Sequence, residues 1–409
     1  MTYREAIDWL YSTQLFGIKL GLENPTRLLR EYLAFPAHTT KVIHVAGTNG
    51  KGSVCAFVES VARAAGYRTG LFTSPHLIDY RERIRVSGGE ISEDEVLMHL
   101  MELRNLVKGW EFHPTFFELT LALAMRHFRD RNCELIVLET GMGGRLDATS
   151  AVPSDVAVLT SISMDHQQWL GDTLAEIAAE KAAIMRFGKP ALSGPQEAEA
   201  RTVIEETANE TRAPLEFVEE PLGGYSLGLP GHHQRLNAAL ALSALHACRI
   251  PLNYESVRHG LNSTRHPGRF EVVGDGPPEL AKPFVLDIAH NPDAARALQA
   301  TWREAYGERK ATVIFGAVAS KDLAGMLVHL CPFAECFHFV LVNSPRATPP
   351  DEVAAALPGD APPHQIHGDL ESALRQAPSG VPLLVTGSAF LVGEVKAWLQ
   401  DDQHRASSQ

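Results

Sequence analysis

The stretch Lys41-Val-Ile-His-Val-Ala-Gly-Thr-Asn-Gly-Lys-Gly-Ser53 restricts what this chain can be more than any other. An apolar run from Val42 to Ala46 ends in a glycine-rich turn, Gly47 to Gly52. An alanine- and valine-rich helical segment follows from Ser53 to Ala65 and stops at Gly66. Strand, glycine turn and helix start are the parts of a phosphate site: N–H groups at the helix start face an anion, and the glycines let the backbone come close to it. Lys51 adds a mobile positive charge, and the Ser53 hydroxyl can reach a phosphate-bound Mg²⁺. Spacing alone leaves a second reading open, a turn that only joins strand to helix. In the general phosphate-loop pattern Ser or Thr follows the lysine directly, whereas here Gly52 intervenes.

Such a unit belongs in a parallel α/β sheet, and the chain supplies the rest of one. Strand-like segments recur at 69–73, 134–139 and 156–161 with helical stretches between them. Ligands of these sheets sit beyond the carboxyl ends of the strands, so the polar residues there are the ones to weigh. They are Ser74 in Ser-Pro-His-Leu77, Glu139 before Thr-Gly-Met-Gly-Gly-Arg-Leu-Asp-Ala-Thr149, and His166 closing Ser161-Ile-Ser-Met-Asp-His. Taken singly these read as a turn serine, a solvated glutamate and a capping histidine. Together at the edge that carries the glycine turn, they make a Mg²⁺ site beside nucleotide phosphates.

Thr173-Leu-Ala-Glu176 is a capping box that opens a helix over Leu174 to Met185, with Lys181 two turns in. A lone helical lysine is ordinarily a solvated charge. From 190 to 231 the pattern reads as short strands and turns without chemistry, and Arg235 to Leu245 reads as an apolar core helix with Asn237 at its start. A second α/β alternation begins near His266-Pro-Gly-Arg-Phe270. Its strands are expected at 284–288, 312–315, 338–342 and 383–386, and its helices at 293–306, 322–330 and 389–399.

Length agrees with two domains, since 409 residues exceed one ordinary core. The expected division is a domain over 1–267, built on a phosphate-loop-type parallel sheet, and a smaller Rossmann-like α/β domain over 268–409. A formal charge of −12 argues against a general nucleic-acid or anionic-membrane binder, but a local Lys/Arg cluster suffices for small anionic substrates. Five cysteines form no CxxC pair, and Cys55, Cys133 and Cys248 lie in apolar segments, which suits buried thiols in a reducing compartment. The N-terminus lacks a signal pattern and the longest uncharged helical run, 236–248, is too short to span a bilayer, so a cytoplasmic location is expected. Residues 404–409 are expected to be disordered.

The variant Gly47-Thr-Asn-Gly-Lys-Gly-Ser53 resembles the ATP loop of the Mur ligase superfamily, and within it that of folylpolyglutamate synthase/dihydrofolate synthase. The resemblance runs along nearly the whole chain in order, through Ser74-Pro-His-Leu, Thr115-Phe-Phe-Glu118, the 141–149 turn, Asp165-His166, Glu180-Lys-Ala-Ala-Ile184, 267–270, Asp287-Ile-Ala-His-Asn-Pro292, Lys321-Asp322 and Thr386-Gly-Ser388. It implies that Asn49, Gly50, Lys51 and Gly52 hold ATP phosphates. Ser74, Glu139 and His166 are then Mg²⁺ ligands, helped by Ser53, with two ions in all. Asn237, Arg269 and Asp287 bind ATP, and His290 contacts phosphate or acyl phosphate. Phe117, Glu118, Arg145 and Asp147, with the loop around Leu20 and Gly21, line a pteroate pocket. Lys181 carries a CO₂-derived carbamate. Ala183 stands where the family has glycine, and 316–321 is looser than usual; neither removes a functional group.

The implied activity is ATP-dependent ligation of L-glutamate to 7,8-dihydropteroate, to tetrahydrofolate species, or to both, by a monomer. A ligase acting on a UDP-muramyl or cyanophycin substrate would want a UDP-binding domain before the ATP loop. A phosphate-loop kinase would need neither the second α/β domain nor Lys181.

Overall fold

The computed structural model describes residues 1–16, 21–274, 283–378 and 380–400. The expected pocket loop at 17–20 and the C-terminal tail therefore lie outside the described residues.

The first sheet is built from β1 (Lys41–Ala46), β2 (Thr69–Phe72), β3 (Ile84–Val86), β4 (Gly89–Glu90), β5 (Leu135–Glu139), β6 (Val156–Leu159), β7 (Ala191–Ser193) and β8 (Leu215–Phe217). Their spatial order is β4-β3-β2-β5-β1-β6-β7-β8. All pairs are parallel except β2–β3 and β3–β4. The central strands are apolar on both sides, as a parallel sheet covered on two faces requires. Val42, Phe72, Ile136 and Leu138 pack with helices Tyr3–Ser12, Glu23–Glu31, Glu93–Leu106 and Phe116–Asp130. Ala46, Ala157 and Leu159 pack with helices Leu174–Ala182 and Ala198–Thr211. Because β5, β1 and β6 run the same way, the turns after all three emerge at one edge.

The second sheet contains β9 (Glu271–Val273), β10 (Phe284–Leu286), β11 (Ala311–Phe315), β12 (Ala334–Phe339), β13 (His364–Ile366) and β14 (Leu383–Thr386), in the order β13-β12-β11-β14-β10-β9. Only β9 runs antiparallel to its neighbour. The chain divides into two compact units. Unit 1 comprises 1–76, 80–228 and 235–264, and unit 2 comprises 77–79, 229–234 and 265–409. Unit 2 has its own core around Trp302, Phe315, Phe337, Phe339, Leu383 and Val385. All five cysteines are free, and Cys55, Cys133 and Cys248 are buried. No helix among the described residues is long and apolar enough to cross a membrane.

Several element boundaries differ from the sequence reading. Residues 198–211 form a helix within the stretch expected to hold only strands and turns. Its buried face is just Ala200, Ile204 and Ala208, too thin a stripe to stand out against nine polar or charged neighbours. Helix Tyr254–Ser263 was not anticipated at all. Strand β12 ends at Phe339, where the sequence reading expects a strand over 338–342: Val340 and Val342 are buried and β-branched but lie beyond the ladder. Helix Leu174–Ala182 stops three residues before Met185, so Ala183 is its C-cap and not an interior position. At φ −63° a methyl there meets no conformational penalty.

Candidate active site

The phosphate turn is shaped by what surrounds it in unit 1. Gly47 (φ +148°) has no room for a side chain, since a Cβ would stand 1.8 Å from Thr160 Oγ1. Gly50 (φ +93°) is the left-handed N-cap of helix Lys51–Ala64, and a Cβ there would meet Asn237 Oδ1 at 2.8 Å. Asn237, expected to contact ATP, thus lies against the phosphate turn. The helix begins at Lys51, two residues earlier than the sequence suggests, so Lys51, Gly52 and Ser53 form its first turn. Their backbone N–H groups have no earlier turn to donate to and carry the positive end of the helix dipole.

The turn after β6 braces this loop, a role that sequence reading missed. Thr48 and Asn49 donate their N–H groups to the Ser161 carbonyl, at 2.9 and 3.3 Å. The Thr48 hydroxyl donates to Ser163 O at 3.0 Å and accepts from Ser163 N–H at 3.1 Å. The Ser161-Ile-Ser motif held the signal, since small hydroxyl residues beside a glycine turn satisfy its exposed backbone groups.

Two lysines converge on the turn. Lys51 Nζ donates to the carbonyls of Gly47 and Thr48, at 3.2 and 3.3 Å. Lys181, from helix Leu174–Ala182, is almost fully buried and donates to the same Gly47 carbonyl at 2.9 Å. Burial, with the Lys51 charge adding to it, lowers the Lys181 ammonium to about 7, against the opposing pull of Asp165, Asp147 and Glu180. Lys181 is therefore no solvated helix charge: near neutrality a large part of it is free amine.

At the end of β5, Glu139 is buried and accepts the Ser74 N–H at 3.1 Å. These two expected metal ligands stand together. His166 opens the short helix Gln167–Leu170 in a left-handed conformation (φ 53°), with its side chain partly exposed and 3.8 Å from Asp165. A carboxylate and serine hydroxyls beside a phosphate loop suit a hard, oxygen-seeking cation. Among the described residues, no three His, Cys, Asp or Glu side chains are grouped to hold a metal without such partners.

The residues expected to line the acceptor pocket divide by role. Phe117 lies 5.6 Å from the Phe72 ring and abuts Gly141, whose Cβ would come within 2.8 Å of Phe117 Cζ. Glu118 caps its own helix, accepting the Thr115 N–H at 2.6 Å, so Thr115-Phe-Phe-Glu118 is a capping box. Arg145 is exposed and pairs with Glu180, next to Lys181, while its N–H donates to Glu180 O at 2.8 Å. Asp147 is buried and accepts the N–H groups of Met142 and Thr149, at 2.9 and 3.0 Å. It shapes the turn from inside.

In unit 2, Asp287 follows β10 and accepts N–H groups from Phe270 at 2.8 Å and Ala289 at 2.9 Å. Burial pushes its carboxyl up, and the nearby Arg269 guanidinium pulls it down. His290 Nδ1 lies 2.9 Å from the Ile288 carbonyl, which can only accept, so Nδ1 carries the proton. Asn291 caps helix Pro292–Tyr306. The motif over 287–292 is thus a rigid strand-to-helix corner carrying one carboxylate and one imidazole.

Comparison with known proteins places the chain in a family. Residues 45–193 match the Mur ligase middle domain, and residues 268–389 match the Mur ligase glutamate ligase domain. The dihydrofolate synthase/folylpolyglutamate synthase of Bacillus subtilis is 34% identical over 378 residues, covering 85% of this chain and 86% of that protein. The chain belongs to this family. Its Escherichia coli member is 33% identical, with 95% of this chain and 93% of that protein covered. Solved structures of the family superpose closely. The Yersinia pestis enzyme complexed with AMPPNP and Mn ion has a TM-score of 0.86 at 33% identity, covering 98% of both chains. Escherichia coli FolC in complex with DHPP and ADP has a TM-score of 0.85 at 31% identity, covering 97% of this chain and 98% of that one.

Proposed function

We propose that this chain is an ATP-dependent amide ligase that joins L-glutamate to the carboxylate of 7,8-dihydropteroate and of reduced folates. The observation that carries the reading is the meeting of Lys51 and Lys181 on the Gly47 carbonyl, beside Glu139 and Ser74. A kinase-type loop needs the first lysine and has no use for a second, buried, half-neutral one.

A carboxylate is a poor acyl donor, because it is anionic and an oxide would have to leave. Transfer of the ATP γ-phosphoryl group to it forms an acyl phosphate with a good leaving group. The glutamate amine then attacks the acyl carbon, phosphate departs and the amine proton is lost, leaving the amide. Lys51 and the N–H groups of Gly52 and Ser53 offset the negative charge that builds on the phosphoryl group. Glu139, Ser74, His166 and Ser53 would hold Mg²⁺, which when bound neutralises phosphate charge as a Lewis acid.

The free-amine fraction of Lys181 adds to CO₂; a C–N bond forms, a proton leaves, and the neutral amine becomes a carbamate anion. That anion would help hold a second Mg²⁺. Arg269, Asp287 and Asn237 serve ATP, His290 the transferred phosphate. The working unit is taken as a cytoplasmic monomer.

Steady-state ADP release with MgATP, L-glutamate and either 7,8-dihydropteroate or tetrahydrofolate tests the reading. Both acceptors should support turnover, and omission of acceptor or glutamate should stop it. Lys51→Ala should lose at least about 10²-fold with the fold intact. Turnover with tetrahydrofolate alone would make this a polyglutamate synthase only; ATP consumption without acceptor would overturn the ligase reading.

A further inference from the structure

One buried polar group in unit 1 is not used by the chemistry above. His44 sits in the middle of β1 with no exposed surface, between Leu138 of β5 and Ala157 of β6 in register. Its Nε2 lies 2.8 Å from Thr149 Oγ1. Thr149 Oγ1 lies 2.5 Å from Asp147 Oδ1, which also accepts the Thr149 N–H.

The protons of this chain can be assigned. Burial pushes the Asp147 carboxyl up, and hydrogen bonds from Thr149 and Met142 pull it down; its Oδ1 already accepts the Thr149 N–H and so stands as an acceptor. The single Thr149 hydroxyl proton therefore goes to Asp147, and His44 Nε2 must donate to Thr149 Oγ1. His44 is then the neutral Nε2–H tautomer, and its bare Nδ1 has no hydrogen-bond partner among the described residues. Burial keeps the ring neutral far into acid. A valine or isoleucine would fill this strand position without stranding a buried nitrogen. All that histidine adds is the bond to Thr149.

That bond leads to the acceptor side of the site. Asp147 Oδ2 holds the Met142 N–H and lies 3.2 Å from where a Gly141 Cβ would be, and the same point is 2.8 Å from Phe117 Cζ. Asp147 thus fixes the Gly141–Met142 backbone beside which the Phe117 ring lies, and a shift of Asp147 moves that side of the pocket. We propose that His44 is a positioning residue for the acceptor pocket: through Thr149 and Asp147, it holds the 141–147 turn in the shape that seats the acceptor against Phe117. This rests on the reading of that turn as part of the pteroate and folate pocket.

The test pairs His44→Phe, which fills the space without a donor, with His44→Gln, which keeps an N–H, and Thr149→Val, which breaks the next link. His44→Phe should raise the acceptor KM about tenfold or more, since small misplacements are amplified in a preorganised site. ADP affinity should stay within about twofold, because the phosphate turn is braced independently through Ser161 and Ser163. His44→Gln should restore most of the loss. Thr149→Val should repeat it, and the double variant should be no worse than either single one.

Nitrogen-15 NMR of histidine-labelled protein supplies a readout without turnover. Wild type should show a buried Nε2–H tautomer whose signal moves in Thr149→Val. An unchanged acceptor KM in His44→Phe, equal losses in acceptor and ADP binding, or an Nδ1–H tautomer would overturn the proposal. If wild type turns over neither dihydropteroate nor folate, the functional reading fails, and the tautomer signal and its response to Thr149→Val still decide the network.

Discussion

The most consequential atom at the residue scale is the Gly47 carbonyl oxygen, which accepts from two ammonium groups at once. The oxygen has a lone pair for each, and it is burial, with the Lys51 charge adding to it, that lowers the Lys181 ammonium to about 7. Above that pH Lys181 is mostly amine and able to react with CO₂; below it the ammonium form blocks the reaction. Carbamate content should therefore rise as pH increases through about 7. Carbon-13 NMR after incubation with labelled bicarbonate should show one carbamate signal, absent from Lys181→Ala. That variant should lose about 10²-fold or more in ligation, with partial recovery on adding small carboxylic acids. Full activity in Lys181→Ala would remove the carbamate from the mechanism. Glu118 and Asp147 teach a related lesson: both were identified from the sequence as pocket residues, and both spend carboxylate oxygens on backbone N–H groups nearby. A motif shows that a residue matters, whereas only its hydrogen bonds show how.

At the scale of elements, helix Lys51–Ala64 has the phosphate turn at one end and is gripped along its length by helix Tyr254–Ser263. A Cβ on Gly260 would fall 2.5 Å from Val61 Cα, and the Ser60 hydroxyl donates to the Gly260 carbonyl at 2.8 Å. Helix propensity says that Gly260→Ala should stabilise by up to about 1 kcal/mol. The backbone contact is the larger effect, because a methyl there must push two helices apart at about 1–3 kcal/mol or more. Gly260→Ala should thus lower the thermal midpoint of the protein. A raised midpoint would mean that the two helices are not packed this closely. Neither this contact nor helix Tyr254–Ser263 is legible in the sequence, since the partner of Gly260 lies 199 positions away, at Val61.

Over the whole molecule, each unit has its own core, and each holds buried histidines on which acid should act. In unit 2, His338 of β12 and His367 after β13 are buried and stacked, with centroids 4.7 Å apart and planes 5° from parallel. Burial and mutual repulsion lower His338 to about 4, and burial lowers His367 against the pull of Asp369. The unfolded chain takes up these protons near pH 6.5 and the folded unit does not. The His338 contribution is complete above about pH 6.5 and is lost as pH falls toward 4, at up to about 1.4 kcal/mol per pH unit, and His367 acts in the same direction. Hydrogen exchange of β11, β12 and β14 amides should accelerate over that window, and His338→Phe should flatten the dependence. An unchanged slope in that variant would acquit the pair.

Strand, glycine turn and helix were readable at 41–65 because local periodicity and backbone freedom suffice to specify them. The order of α/β elements and the family followed from motifs spaced along the chain. What tertiary structure alone decided is which groups share an atom. Lys181 meets Lys51 across 130 positions, His44 meets Thr149 across 105, and Thr48 is braced by Ser163 across 115. Such meetings depend on strand order and register, and with them the burial that turns a helical lysine into an amine and a core histidine into a hydrogen-bond donor. Those are properties of a packed sheet and of no local stretch of sequence.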